Sequence, residues 1–169
     1  VCETARAMAE QFGADAPLAA RAGILHDVTK ALKPGQQLLL AKALGVKLTA
    51  FEQENPQLLH AKTGAAAARK IFGECEAVAS AIEWHTTGKP HMTALEKIVY
   101  LADMIEPNRS YPGVDAIRRA AEENLDEGTI LALERTIAFL REQGLAVCED
   151  SVRARDFLLS ERNDTQHEA

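Results

Sequence analysis

The chain has 169 residues, 47% of them hydrophobic and 26% charged, with a formal net charge of −6. That length suits one domain with its own core, and the ordinary composition excludes a disordered chain. The negative balance argues against a duplex nucleic-acid partner, which would need clustered Lys and Arg, and no stretch approaches the roughly 20 apolar residues that span a bilayer.

Cys2, Cys75 and Cys148 are scattered without CxxC spacing, so neither a disulfide framework nor a cysteine metal site is indicated. With no signal-peptide pattern at the start, a cytoplasmic protein is expected. Strand signals are scarce while Ala, Leu, Glu, Lys and Arg dominate, and the predicted class is all-α. The first predicted helix covers Glu3 to Phe12 and closes at Gly13. A second starts after an Asp15 N-cap with Pro17 in its first turn. Its stripe of Leu18, Ala22, Leu25, Val28 and Leu32 carries the helix past His26 and Asp27, which sit off the stripe. A third helix, Gly35 to Leu44, stops at Gly45, and a loop containing Asn55-Pro56 leads to His60. Helices over Thr63 to Phe72 and about Glu76 to Thr86 follow, the latter carrying His85 in its last turn. Thr93 and Glu96 form a capping-box pair for a helix from Ala94 to Ile105. Leu95, Ile98, Val99 and Ala102 face inward on it, and Asp103 falls in the last turn, where a carboxylate opposes the helix dipole and needs a compensating cation. Two more helices are predicted over Val114 to Glu123 and Glu127 to Gln143, then a short turn over Arg153 to Leu159. Residues 1–160 are expected to form the single domain, with a frayed polar tail over 161–169. The stripe Ile130, Leu133, Ile137 and Leu140 suits a core or a partner equally, which leaves a homodimer open.

The chemistry concentrates in His26, Asp27, His60, His85 and Asp103. Each alone reads as a packed, capping or solvent-facing residue. Together they lie at helix ends and beside core stripes, where a bundle projects polar groups into a shared site. Imidazole with carboxylate suits iron, manganese or zinc. Neighbouring helical residues point about 100° apart, so Asp27 can bridge two ions while His26 binds one. A two-ion site of that kind supplies a bridging hydroxide for attack on phosphorus. Lys30, one turn beyond His26, can reach a phosphate or pair with Asp27. Thr86, Thr87 and Gly88 offer hydroxyls and backbone N–H groups for phosphate oxygens, or simply cap the helix end. Arg109 offers a planar fork for bidentate phosphate contact. Trp84 and Tyr100 read as core aromatics.

Three blocks make this pattern specific: Leu25-His26-Asp27-Val28-Thr29-Lys30, Glu54-Asn55-Pro56-Gln57-Leu58-Leu59-His60, and the stretch from His85-Thr86-Thr87-Gly88-Lys89-Pro90 through Asp103 to Ile105-Glu106-Pro107-Asn108-Arg109 and Pro112-Gly113-Val114. Over nearly the whole chain apart from the tail, the sequence resembles the YqeK family of bacterial HD-domain symmetrical dinucleoside-tetraphosphate hydrolases. The resemblance implies an HD-domain helical bundle that cleaves diadenosine tetraphosphate, or a related dinucleoside polyphosphate, into two nucleoside diphosphates such as ADP. It implies one iron held by His26, Asp27 and Asp103 and a second held by His60 and His85 with Asp27 bridging; manganese or another divalent transition metal is the alternative. Asp27 and Lys30 would be catalytic, and Lys30, Thr86, Thr87, Gly88 and Arg109 would position the phosphate chain. The family pattern has a further histidine ligand four positions before the residue matched by Val1, expected on residues upstream. It also has a small residue, often glycine, where this chain carries His91, which is read as solvent-facing. Alternative readings are an HD phosphohydrolase for another nucleotide phosphoester and a non-catalytic nucleotide sensor. The intact His and Asp set speaks against the sensor.

Overall fold

Helix starts and stops in this chain follow from local chemistry at most boundaries. The computed structural model describes the backbone of residues 1–167 and side chains through Asp164. Among the described residues there are ten α-helices, one 3-10 turn and no strand. Helix α1 (Cys2–Phe12) ends where Gly13 takes φ 68, a left-handed conformation that costs glycine least. Helix α2 (Ala16–Leu25) begins at Asp15, whose carboxylate accepts the Leu18 N–H at 2.9 Å. It stops at Leu25 rather than running on to Leu32. Residues 26–32 instead form successive tight turns, with Val28 N–H donating to Leu25 O, Lys30 N–H to Asp27 O and Leu32 N–H to Thr29 O at 3.0, 2.9 and 3.1 Å. Val28 is therefore 41% exposed instead of buried with the stripe.

Helix α3 (Pro34–Ala43) lies within one residue of its predicted bounds. Helix α4 (Ala50–Glu54) was not predicted, although the Thr49/Glu52 capping box that starts it is written in the sequence. A 3-10 turn over Pro56–Leu58 feeds α5 (Leu59–Lys70), which begins four residues before the predicted Thr63 and so takes His60 into its first turn. Helix α6 (Glu76–Trp84) has His85 as its C-cap. Helices α7 (Ala94–Ile105) and α8 (Val114–Glu123) fall on the predicted bounds, and the Thr93/Glu96 capping box is formed. Helix α9 (Leu125–Glu142) starts early because Asn124 accepts the N–H groups of Asp126 and Glu127. Helix α10 (Glu149–His167) is far longer than the turn expected over Arg153 to Leu159. It includes residues 161–167 of the expected frayed tail, and 168–169 lie outside the described residues.

Helix α7 is the centre of the bundle and contacts α1, α2, α6, α8 and α9. Its burial is not one-sided: the consecutive residues Ile98, Val99, Tyr100, Leu101 and Ala102 are all at most 1% exposed, as expected of a helix buried on every face. Tyr100 is a core aromatic, whereas Trp84 is half-buried with Lys89 Nζ 5.7 Å from its ring centroid. Alanines at 0% exposure line the packing faces, including Ala5 and Ala9 on α1, Ala19 and Ala22 on α2, Ala65 and Ala68 on α5, and Ala79 and Ala81 on α6. Small side chains let helix axes approach at the short end of the usual range of about 8–10 Å. Glycine goes further at two crossings: a Cβ on Gly23 of α2 would lie 2.8 Å from Cys2 Cα of α1, and one on Gly128 of α9 would lie 2.7 Å from Ala121 Cα of α8.

That contact sets opposite signs for two glycine substitutions. Gly128→Ala forces α8 and α9 apart, an overpacking that costs about 1–3 kcal/mol and outweighs the gain in helix propensity. Gly35→Ala in α3, where a Cβ meets nothing within 4 Å, gains about 0.4–1 kcal/mol. Thermal denaturation should show a lowered melting temperature for the first and a slightly raised one for the second.

Candidate metal centre

Four segments deliver the five predicted ligand residues to one place. His26 follows the last residue of α2, His60 is the second residue of α5, His85 caps α6 and Asp103 sits in the last turn of α7. Asp27 lies on the turn after α2, not on the predicted extension of that helix. The three imidazoles share one device. Nδ1 of His26, His60 and His85 lies 2.9, 2.7 and 2.7 Å from the carbonyl oxygen three residues earlier, at Gly23, Gln57 and Ile82. A carbonyl only accepts, so each Nδ1 carries the hydrogen and each neutral ring presents its Nε2 lone pair inward. For α2 the accepting carbonyl is also one of those that a helix leaves unpaired at its C-terminus, whereas the Ile82 carbonyl of α6 accepts the His85 backbone N–H as well, at 3.5 Å.

All three Nε2 atoms converge on Asp27. Oδ2 lies 3.3 Å from His26 Nε2, and Oδ1 lies 3.3 Å from His60 Nε2 and 3.5 Å from His85 Nε2. Asp103 Oδ1 approaches His26 Nε2 at 3.6 Å. His60 Nε2 and His85 Nε2 are 3.2 Å apart, so two lone pairs face each other across a gap that needs a proton or a cation. His26 Nε2 and Asp27 Oδ1 are buried with no hydrogen-bond partner, an unmet bonding capacity that native interiors seldom leave unless an ion or water answers it. Ligand atoms of His26, His85 and Asp103 lie within 4.8 Å of one another, and so do those of Asp27, His60 and His85. His85 thus belongs to both groups, whereas the family resemblance assigns it to one. Three imidazole nitrogens with two carboxylates fit a first-row transition ion, and tautomer-fixing carbonyls are the usual outer support of histidine ligands.

The charges show how tightly this cage is drawn. Burial disfavours the charged form of His26, but the Asp103 and Asp27 carboxylates and the Gly23 carbonyl outweigh it and push its pKa up to about 9. Burial likewise works against ionised Asp27 and Asp103; His26, His60, His85 and Lys30 around the first, and His26 and Arg109 around the second, hold both far below the usual carboxylate range. His85 is pushed down, first by burial and further by its neighbouring imidazoles.

The residues expected to grip phosphate are placed less uniformly. Lys30 Nζ pairs with Asp27 Oδ2 at 2.7 Å, the alternative weighed for it. Arg109 spends its fork on Asp103, with Nη2 2.6 Å from Oδ1 and Nε 2.9 Å from the backbone carbonyl. It is the cation that offsets a carboxylate at the negative end of α7. Gly88 does not offer the free N–H expected of it, because that group donates to Trp84 O at 2.9 Å. Its φ of 66 and the neighbouring Ala154 Cβ and Met92 Sδ, each 3.3 Å from where a Cβ would lie, explain the glycine as a packed turn. The Thr87 hydroxyl donates to Gly88 O at 3.1 Å, and Thr86 and Thr87 line a narrow crevice with Lys62, Glu83 and Asp150. His91 is exposed with φ 57 and stacks on Phe157 at a ring-centroid distance of 4.0 Å. Left-handed backbone there accounts for the glycine that the resemblance places at this position.

Several supporting residues were not singled out from the sequence. Arg118 donates to the carbonyls of Ile105, Glu106 and Arg109 and so fastens the loop that carries Arg109. Glu96, buried in α7, accepts from Ser80 at 2.5 Å and pairs with Lys89 at 2.8 Å, which anchors the segment after His85. The capping-box motif explained Glu96 at the sequence level, but its second duty depends on residues brought in by α6. Thr29, Gln37 and Thr63 form a buried network of their own behind the centre.

Comparison with known proteins identifies the family. The HD-domain family profile matches residues 1–108. The symmetrical bis(5'-nucleosyl)-tetraphosphatase of Bacillus subtilis (strain 168) is 38% identical over 161 residues, covering 95% of this chain and 86% of that protein. Its namesake in Halalkalibacterium halodurans is 40% identical over 164 residues, covering 96% and 87%. The crystal structure of an HD superfamily hydrolase from Clostridium acetobutylicum superposes with a TM-score of 0.91 at 37% identity, over 95% of this chain and 85% of that one. The shared fold, the matched profile and relatives aligned over most of their length place this chain in the HD-domain family of symmetrical bis(5'-nucleosyl)-tetraphosphatases.

Proposed function

We propose that this protein is a metal-dependent hydrolase that cleaves dinucleoside tetraphosphates, diadenosine tetraphosphate foremost, symmetrically into two nucleoside diphosphates. The observation that carries the reading is the convergence of three imidazole Nε2 atoms and the Asp27 carboxylate on one buried point. His26, His85 and Asp103 would hold one ion, and Asp27, His60 and His85 the other. Iron is the ion proposed, since mixed nitrogen and carboxylate donors suit it, with manganese the nearest substitute. Bound ions of this kind acidify water to near neutrality and neutralise charge on phosphoryl oxygens.

The chain's own residues supply the rest. Asp27 faces both ion groups and keeps its charge at any working pH. Lys30, half-exposed beside Asp27, presents an ammonium to the phosphate chain once a metal shares that carboxylate. Arg109 holds Asp103 in place and keeps 41% of its side chain exposed toward solvent, where it can meet a phosphate oxygen. Thr86 and Thr87 border the crevice beside the cap of α6 and are the proposed outer contacts of the substrate. A nucleoside diphosphate leaves readily without a strong general acid, and cleavage at the central anhydride makes both leaving halves the same. The three cysteines are free and no described helix is long and apolar enough to cross a membrane; a cytoplasmic setting is part of the proposal.

Product analysis after incubating the metal-loaded, full-length protein with diadenosine tetraphosphate tests the reading. ADP as the sole nucleotide product is expected; ATP with AMP would contradict symmetric cleavage. Asp27→Ala should abolish turnover and metal retention while far-ultraviolet circular dichroism stays near wild type, and full activity in that variant would sink the two-ion arrangement. Chelation should lower the melting temperature, because an ion that binds only the folded site stabilises it by mass action.

Metal affinity should also depend on pH with a definite sign. In the metal-free protein His26 stays protonated up to about pH 9, and a ligand nitrogen must lose that proton. Affinity should therefore rise by roughly tenfold per pH unit as pH increases from 6.5 toward 9, then level off. The same proton stabilises the metal-free fold fully below pH 6.5, a contribution lost as pH rises through about 9. Manganese titration calorimetry across this window measures the first effect, and metal-free melting curves measure the second.

A further inference from the structure

A second buried polar cluster lies just behind the metal centre, where three segments meet. Thr29, on the turn after α2, Gln37 of α3 and Thr63 of α5 are 6%, 3% and 0% exposed. Gln37 Nε2 donates to the Thr29 carbonyl at 2.5 Å, and Gln37 Oε1 accepts from the Thr63 hydroxyl at 2.5 Å. The two threonine hydroxyls are 2.9 Å apart, and Thr29 Oγ1 is 3.0 Å from the His60 carbonyl oxygen. With the Thr29 hydroxyl donating to the His60 carbonyl, the bonds close a ring through the backbone of α5: Thr29 O–H to His60 O, Thr63 O–H to Gln37 Oε1, Gln37 N–H back to the Thr29 carbonyl. Opening such a ring leaves buried groups unpaired.

The ring sits between two ligand-bearing segments. Thr29 is two residues past Asp27, and Thr63 is about one helical turn past His60. Because α2 ends at Leu25, no α-helical hydrogen-bond ladder holds Asp27. Tight turns and this ring hold it instead. The two segments run close together at Gly64, where a Cβ would lie in ordinary van der Waals contact with both, 3.5 Å from His26 O and 3.6 Å from Thr29 Oγ1. The other side of the centre is supported separately, by Arg109 on Asp103. We infer that Thr29, Gln37 and Thr63 are positioning residues that set the gap between Asp27 and His60, and with it the affinity of the Asp27–His60–His85 ion site. This inference rests on the metal-dependent reading of the centre.

Calorimetric titration of the full-length, metal-free protein with manganese, without substrate, tests it. Thr63→Val keeps the shape and removes the hydroxyl. One of the two binding steps should weaken by about 10–100-fold, the usual loss when outer support of a ligand is removed, and the other, which Asp27 also faces, by clearly less. Thr63→Ser, which restores the hydroxyl, should recover both steps. A lowered melting temperature with both steps unchanged would mean the ring serves stability alone and would overturn the inference, as would equal weakening of both steps. Should Thr63→Val fail to fold, Gln37→Met removes both amide bonds from the more exposed α3 and is decided by the same two readings. A wild type that binds both ions but cleaves no dinucleotide would sink the hydrolase reading without touching this comparison.

Discussion

One carboxylate organises the site. Asp27 lies within 3.5 Å of three imidazole nitrogens and 2.7 Å from an ammonium, and a half-buried anion so surrounded is stable only while positive charge answers it. Removing water from a carboxylate costs several kcal/mol unless attraction and hydrogen bonds offset it. A proton on His26 and the Lys30 ammonium do so in the metal-free protein. A divalent ion would do so more completely, because it would also engage the lone pairs that His60 and His85 turn toward each other.

Helix ends make that arrangement possible. His26, His85 and Asp103 stand at the C-terminal ends of α2, α6 and α7, where carbonyl oxygens carry partial negative charge and favour a cation. For His26 the same hydrogen bond satisfies a helix-end carbonyl and fixes the ring's tautomer; the Ile82 carbonyl that fixes His85 also accepts the His85 N–H. His60 comes from the opposite kind of end, the first turn of α5, and its Nδ1 is held by Gln57 in the preceding 3-10 turn. Imidazole placement and helix termination are therefore one structural problem here.

The alanine-rich faces are the packing counterpart. Ring centroids of His26 and His60 each lie 5.1 Å from that of His85, which requires the ends of α2, α5 and α6 to come together closely. Ala22, Ala65, Ala68, Ala79 and Ala81, all at 0% exposure, allow this, whereas larger apolar residues would bury more area but hold the helices apart. The bundle gains its apolar burial elsewhere, around α7 and α9, with Ile98, Leu101 and Leu133 at 0%.

The sequence by itself determined the helical class, most helix boundaries and the identity of the five converging His and Asp residues, because these depend on periodicity, capping chemistry and ligand type, all local properties. It also carried signals that went unread, such as the Thr49/Glu52 box that opens α4 and the polar run that continues α10. Only the tertiary structure decided where α2 stops, since the apolar stripe through Val28 and Leu32 favours continuation, while Thr29 gains partners on α3 and α5 only if the chain turns. It likewise decided that Arg109 serves Asp103 and that the Gly88 N–H is spent within the fold. Those outcomes rest on competition between partners distant in sequence, and a hydrogen bond across 31 or 34 residues leaves no periodic trace in the chain that makes it.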